Sequence, residues 1–169
     1  MPTFTYQSEF FVDAATLFKW HERPGAFERL NPPFMPAGVL QSDRSIRDGS
    51  RVVLRVPDRF YGLTWNLEHE GYIRNRRFTD RQTKGPFRSW HHEHRFENTG
   101  TNRSRLEEYI DYALPLDPLF SAIVGRPFSS RLKQVFRFRH TRTAFDQELP
   151  PGSRARGCGS APRRGPGRT

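Results

Sequence analysis

The chain changes from a strand period to a helical period near Pro115, and this change constrains the fold more than any other feature of the sequence. From about residue 37 to residue 114, apolar and polar side chains alternate with a period of two, which is typical of strands buried on one face. After Pro115 the apolar residues recur at the spacing of a helix. Within the alternating part, strands are predicted at 51–56, 63–69, 76–84, 85–96 and 105–114.

Before this region the pattern predicts one strand and two short helices. Residues 3–11 alternate as a strand, and Asp13 is placed to cap the first short helix. Pro24 can open the second helix, which the run NPP at 31–33 would end.

The final helix is the longest predicted element. Gly125 and Pro127 favour a break or a kink near its start, because proline removes a backbone hydrogen bond inside a helix. Its apolar stripe consists of Leu119, Ile123, Phe128, Leu132, Val135 and Phe136.

Each predicted strand has one apolar side, and the final helix has one apolar stripe. A curved antiparallel sheet wrapped around that helix buries all of these surfaces at once. We therefore predict an α+β fold of the helix-grip type, with about seven strands around a long C-terminal helix and two short helices after the first strand.

This order of elements, together with four segments, resembles the SRPBCC or START-like superfamily. The similarity is greatest to bacterial ligand-binding SRPBCC proteins, which are related to polyketide cyclase/dehydrase-like domains and also occur fused to epimerase-like proteins. The resemblance implies a ligand cavity between sheet and helix, and a functional link to an epimerase-like protein. The matching segments are LFKWHERPGAFERLNPPF at 17–34, IRDGSRVVLRV at 46–56, FTDRQTKGPFRSWHHEHRF at 78–96 and SRLEEYIDYALPLDPL at 104–119.

The resemblance ends near residue 147, and so does the folded domain that we predict. Residues 148–169 are rich in proline, glycine and arginine, which cannot gain enough from burial to offset the entropy of ordering, so we expect a disordered tail. Together with the segment 126–142, this tail carries the net charge of +10 and leaves the rest close to neutral. That distribution argues against a dedicated nucleic-acid binder.

No apolar run of about 18 residues occurs, and the N-terminus lacks the pattern of a signal peptide. We therefore expect a cytoplasmic protein without membrane insertion. The single cysteine, Cys158, offers neither a disulfide framework nor a thiolate cluster. No pattern predicts an oligomeric state.

The stretch GPFRSWHHEHRF at 85–96 carries three histidines, and alternation along a strand separates them. His92 and His94 face the predicted cavity, whereas His91 faces solvent. His21, His140 and the arginines of the final helix are likewise expected to be exposed. The predicted ligand-binding residues are Trp65, His69, Asp80, Gln82, Trp90, His92, His94, Glu108, Ile110, Tyr112, Phe128, Leu132 and Phe136.

The inward histidines have four interpretations. They could bind a metal together with His69 or Asp80, or perform acid–base catalysis with Asp80 and Glu108, as in a cyclase or dehydratase. They could also form a satisfied hydrogen-bonded ladder, or orient the polar end of a ligand. We favour the last two combined, in a protein that binds a small hydrophobic molecule without metal or cofactor and is not an enzyme.

Overall fold

A computed structural model describes residues 2–57, 62–115 and 119–148, without the side chains of 119–125. The chain forms seven strands and three helices within these ranges. The strands are β1 (Thr3–Phe10), β2 (Gly38–Ser42), β3 (Arg51–Val56), β4 (Leu63–Ile73), β5 (Arg77–Lys84), β6 (Ser89–Gly100) and β7 (Arg103–Ala113). The helices are α1 (Ala14–Glu22), α2 (Ala26–Leu30) and α3 (Leu119–Glu148). Apart from Glu148, the predicted tail lies outside the described residues.

The strands form one antiparallel sheet in the order β1-β7-β6-β5-β4-β3-β2. From β2 onward each strand pairs with its neighbour in sequence, and β1 then joins the far edge beside β7. The helix-grip prediction is therefore confirmed in class, strand number and helix order.

Local chemistry accounts for the starts of the two short helices. The Asp13 carboxylate accepts a hydrogen bond of 2.7 Å from the backbone N–H of Thr16, which caps α1. Gly25 takes the left-handed conformation with a φ of 83°, so α2 begins at Ala26 and not at Pro24.

The long helix α3 runs without interruption from Leu119 to Glu148, with Pro127 inside it. The break predicted at Gly125 and Pro127 is therefore absent. The missing N–H of Pro127 affects only one hydrogen bond near the helix start, and the turns that follow bury Leu132 and Phe136 against the sheet.

Two apolar clusters pack against the inner face of the curved sheet. The first lies between the sheet and α3, and the second lies between the sheet and α1. None of the described helices combines the length and hydropathy needed to cross a membrane. The first cluster contains Leu54, Leu67, Trp90, Ile110, Tyr112, Leu114, Leu132 and Phe136; the second contains Phe10, Ala14, Leu17, Phe18, Phe78, Phe96 and Leu106.

Candidate functional site

A cavity of about 770 Å³ lies between the two clusters. The inner face of β3 to β6 forms one wall, and α3 forms the opposite wall. The segments 21–30 and 35–46 close the remaining side. Eight of the predicted ligand-binding residues line this cavity: Trp65, His69, Asp80, Trp90, His92, His94, Leu132 and Phe136.

The other five predicted residues lie behind the wall or beside the cavity. Ile110 and Tyr112 are buried in the core under α3, and Phe128 packs on Tyr112 with ring centroids 5.0 Å apart. Glu108 is buried behind the inward histidines. The Gln82 side chain spans the turn after β5. Its amide N–H donates to the carbonyl of Phe87 at 2.7 Å, and its amide oxygen accepts a hydrogen bond from the N–H of Phe87. As ligand contacts, all thirteen remain predictions.

One end of the cavity is aromatic. The rings of Trp65 and Trp90 meet edge to face with centroids 5.1 Å apart, and Phe87 packs on both. Gln82 fixes the turn that carries Phe87, so its role is to hold this aromatic wall in place. The indole N–H of Trp65 is buried and meets no hydrogen-bond acceptor among the described residues.

The other end is polar, and strand register assembles it. His69 on β4 lies opposite Asp80 on β5, Asp80 lies opposite His92 on β6, and His94 lies opposite Glu108 on β7. Because paired residues in a sheet point to the same face, these side chains converge. We call His69, Asp80, His92, His94, Glu108 and His140 the histidine–carboxylate cluster.

Contacts inside this cluster are short. Nε2 of His92 and Nδ1 of His94 both lie 2.7 Å from Oε2 of Glu108. On the cavity side, Nε2 of His94 lies 3.2 Å from Oδ2 of Asp80, and Nε2 of His69 lies 3.1 Å from Oδ1 of Asp80. Each carboxylate thus joins more than one histidine.

These contacts keep both carboxylates ionised. Burial alone would raise the pKa of Asp80, but the charge and hydrogen bonds of His69 and His94 hold that pKa well below its usual range. Burial likewise opposes ionisation of Glu108, yet His94 first, with His140 and His92, holds its pKa well below the usual range.

The histidines of the cluster respond in opposite directions. Burial would lower the pKa of His94, but the Glu108 and Asp80 carboxylates outweigh it and raise that pKa to about 9. For His92, burial and the repulsion of His94 prevail over Glu108, so its pKa is lowered. The pKa of His69 is raised, because Asp80 outweighs the effect of burial.

Comparison with solved structures places this architecture among known proteins. A scan against protein-family models and a search of curated proteins found no match. A nucleoside-diphosphate sugar epimerase from Corynebacterium glutamicum matches with a TM-score of 0.68 and 24% identity, over 85% of this chain and 29% of the epimerase. A START superfamily protein from Mycobacterium smegmatis matches at 0.57 with 15% identity, over 81% of this chain and 95% of that one.

A third similar structure is norcoclaurine synthase from Thalictrum flavum in complex with dopamine and hydroxybenzaldehyde, with a TM-score of 0.64 and 10% identity, over 88% of this chain and 89% of the synthase. These likenesses agree with the order of strands and helices. The chain has the START-like helix-grip fold. The epimerase is much the longer protein, since this START-like chain spans only 29% of its length.

Two histidines of the START-like chain do not lie where the sequence predicts. His140 was expected in solvent, but it is only 4% exposed, and its Nε2 lies 3.3 Å from Oε1 of Glu108. His21 was also expected to be exposed, but it is 7% exposed and its Nδ1 donates to the carbonyl of Leu17 at 2.9 Å. Burial lowers the pKa of His21 to about 4. His91 points outward as predicted, near Glu70.

Helical spacing could have located His140, because it follows Phe136 by one turn and therefore shares the buried face of α3. The prediction placed His140 on the solvent face instead. Arg139 was also expected in solvent, but it lines the cavity.

The Arg139 guanidinium makes no hydrogen bond or ion pair with the described residues, and its Nε is buried without a partner. Its Cζ lies 5.4 Å from the ring centroid of Phe136. Burial lowers the pKa of Arg139, although Glu108 and Asp80 oppose this effect. The cavity is therefore lined by a guanidinium cation that forms no ion pair with the described residues.

An ion-pair network attaches the cavity wall at 21–30 to α3. Asp146 is 1% exposed, and its carboxylate accepts hydrogen bonds from Arg29 and, at 2.9 Å, from Arg23. Chemically, the site can surround an apolar body at its aromatic end and bind a polar group at the cluster and Arg139.

Proposed function

We propose that this chain binds a small, largely apolar molecule in the cavity between the sheet and α3. The observation that carries the proposal is the division of one 770 Å³ cavity into an aromatic end and a polar end. Its volume lies within the range of about 300–1,000 Å³ that is usual for small-molecule sites, which are mostly apolar with a few convergent polar groups.

The unpaired donors indicate which polar groups the ligand carries. Arg139 and the indole N–H of Trp65 both lack acceptors among the described residues, and a buried donor without a partner is costly. A ligand with a carboxylate or another anionic oxygen would satisfy Arg139. An aromatic body is supported by the fold shared with norcoclaurine synthase, which was solved with dopamine and hydroxybenzaldehyde.

The test fills the cavity from the helix side. Leu132 lines the cavity and is 6% exposed, so Leu132→Trp should occupy the ligand's volume and abolish uptake. Lys133→Trp, on the exposed side of the same turn, is the matched control and should bind as the unaltered protein does. Native mass spectrometry of freshly purified protein would measure the retained molecule.

Equal ligand retention in Leu132→Trp and Lys133→Trp would contradict binding in this cavity. A different outcome would identify an acid–base enzyme of the cyclase or dehydratase type. In that case the protein would convert a retained compound, and His94→Gln would lose the conversion but keep the binding.

The link to an epimerase-like protein also stays a proposal. It is supported by the match between this chain and one part of a nucleoside-diphosphate sugar epimerase. Co-purification of the full chain with an epimerase-like protein from its own cells would test the link, and recovery of the chain alone would count against it.

A further inference from the structure

Glu108 contacts one ring nitrogen of each inward histidine. Its Oε2 lies 2.7 Å from both Nε2 of His92 and Nδ1 of His94. The contact with His92 is a hydrogen bond, in which the ionised carboxylate can only accept, whereas Nδ1 of His94 has no hydrogen-bond partner among the described residues. Each ring therefore directs its second nitrogen, Nδ1 of His92 and Nε2 of His94, towards Asp80.

His69 is oriented in the same way by the backbone. Its Nδ1 lies 3.1 Å from the carbonyl oxygen of Ser50, which has no hydrogen to give. Nδ1 is therefore the donor, and Nε2 points to Oδ1 of Asp80 at 3.1 Å.

Ring nitrogens of three histidines therefore converge on Asp80. The rings of His92 and His94 have centroids only 4.0 Å apart, so one divalent cation between their facing nitrogens and the Asp80 carboxylate would be within reach of all three side chains.

The separations fit a metal. Oδ2 of Asp80 lies 3.2 Å from Nε2 of His94 and 3.7 Å from Nδ1 of His92, and one ligand atom from each of the three residues lies within 4.8 Å of the others. Bonds of about 2.0–2.1 Å in tetrahedral geometry put zinc ligands about 3.3 Å apart. A small inward shift of His92 would complete the set.

We infer that Asp80, His92 and His94 form a binding site for a divalent transition metal of the zinc or ferrous type. Two imidazoles and one carboxylate suit these metals. Sequence reasoning favoured a hydrogen-bonded ladder at this place, and the direction of the ring nitrogens changes that preference.

The surroundings match those of known metal sites. Ligating histidines usually donate their other N–H to a carboxylate or a backbone carbonyl, and Glu108 takes this position behind both ligands. All three ligands line the cavity, so the remaining coordination positions face a bound molecule. The metal site would exist whether or not an apolar molecule fills the cavity.

The experiment uses the untagged full chain after treatment with a chelator. Zn²⁺ alone, followed by calorimetry, should bind at one ion per chain and raise the melting temperature, because a cation that binds only the folded state stabilises it. Co²⁺ alone should give visible absorption bands of a site with nitrogen and oxygen ligands. Asp80→Asn and His94→Gln should each weaken binding at least tenfold, whereas His91→Gln, on the outer face of the same strand, should not.

A measurement on the unaltered protein covers variants that fail to fold. Zn²⁺ should shift the ¹⁵N resonances of Nδ1 of His92 and Nε2 of His94 and leave His91 unchanged. No saturable binding, or binding that Asp80→Asn and His94→Gln leave intact, would overturn the inference. Shifts confined to His91 would overturn it as well. Leu132→Trp should still bind Zn²⁺, which separates a failed metal site from a failed ligand site.

Discussion

Arg139 carries a charge that meets no partner in the cavity, and this makes it the most testable single residue. Arg139→Met keeps most of the apolar stem and removes the charge. A charge-assisted hydrogen bond is worth about 1.5–3 kcal/mol, so the variant should bind dodecanoate at least about tenfold more weakly, with dodecanol unaffected. Tryptophan fluorescence would follow both, since Trp65 and Trp90 line the cavity.

Arg137→Met is the control on the exposed side of α3. Because removing a half-buried charge that forms no ion pair relieves part of its desolvation cost, Arg139→Met without ligand should also melt at a slightly higher temperature. Equal binding of the acid and the alcohol by the unaltered protein would show that Arg139 does not select an anion.

His21 gives a prediction about pH. Its folded pKa of about 4 lies below the ordinary value of 6.5, so between these values the unfolded chain binds a proton that the folded chain excludes. Stability from this residue is complete above about pH 6.5 and falls as the pH drops towards 4, by an amount on the order of 3 kcal/mol. In urea unfolding, His21→Gln should lose less stability over this range than the unaltered protein. A parallel loss in both would assign the acid sensitivity to other groups.

At the scale of elements, Asp146 joins α3 to the segment that closes the cavity. Asp146→Asn removes the charge that Arg23 and Arg29 share. Because the carboxylate is buried while both arginines reach solvent, we expect a loss of about 1–3 kcal/mol in the free energy of unfolding. Faster amide exchange should be confined to 21–30.

The control for this change is Glu97→Gln, which breaks the exposed pair with Arg105 and should leave stability almost unchanged. An equal effect of both variants on stability, without faster exchange at 21–30, would show that Asp146 does not hold the cavity wall.

The elements differ in how far sequence predicts them. Alternation located the strands because one face of each is buried, and the antiparallel pairing of consecutive strands then follows from hairpin order. The same alternation predicted that His92 and His94 point into the cavity. On α3, however, few apolar residues mark the buried face of the helix. The prediction therefore placed Arg139 and His140 on the solvent face.

For the whole molecule, sequence reasoning predicted the sheet, the helix and the cavity between them. It missed Phe27, Met35, Val39 and Leu40 on the cavity wall. These residues belong to short segments whose position depends on contacts with distant parts of the chain, such as Asp146. Local periodicity carries no information about such contacts. The turn role of Gln82 was missed for a different reason: alternation placed its side chain on the cavity face, whereas its two hydrogen bonds go to Phe87 across the turn.

The pairing of β1 with β7 also has a consequence for how the protein is made. Thr3 lies opposite Asp111, so β1 is synthesised well before the strand with which it pairs. Until then its backbone donors and acceptors stay unpaired. A distant pairing of this kind forms more slowly than the pairings of consecutive strands, and the strand edges stay exposed meanwhile. The N-terminal strand is therefore the segment whose protection by a chaperone would matter most during synthesis.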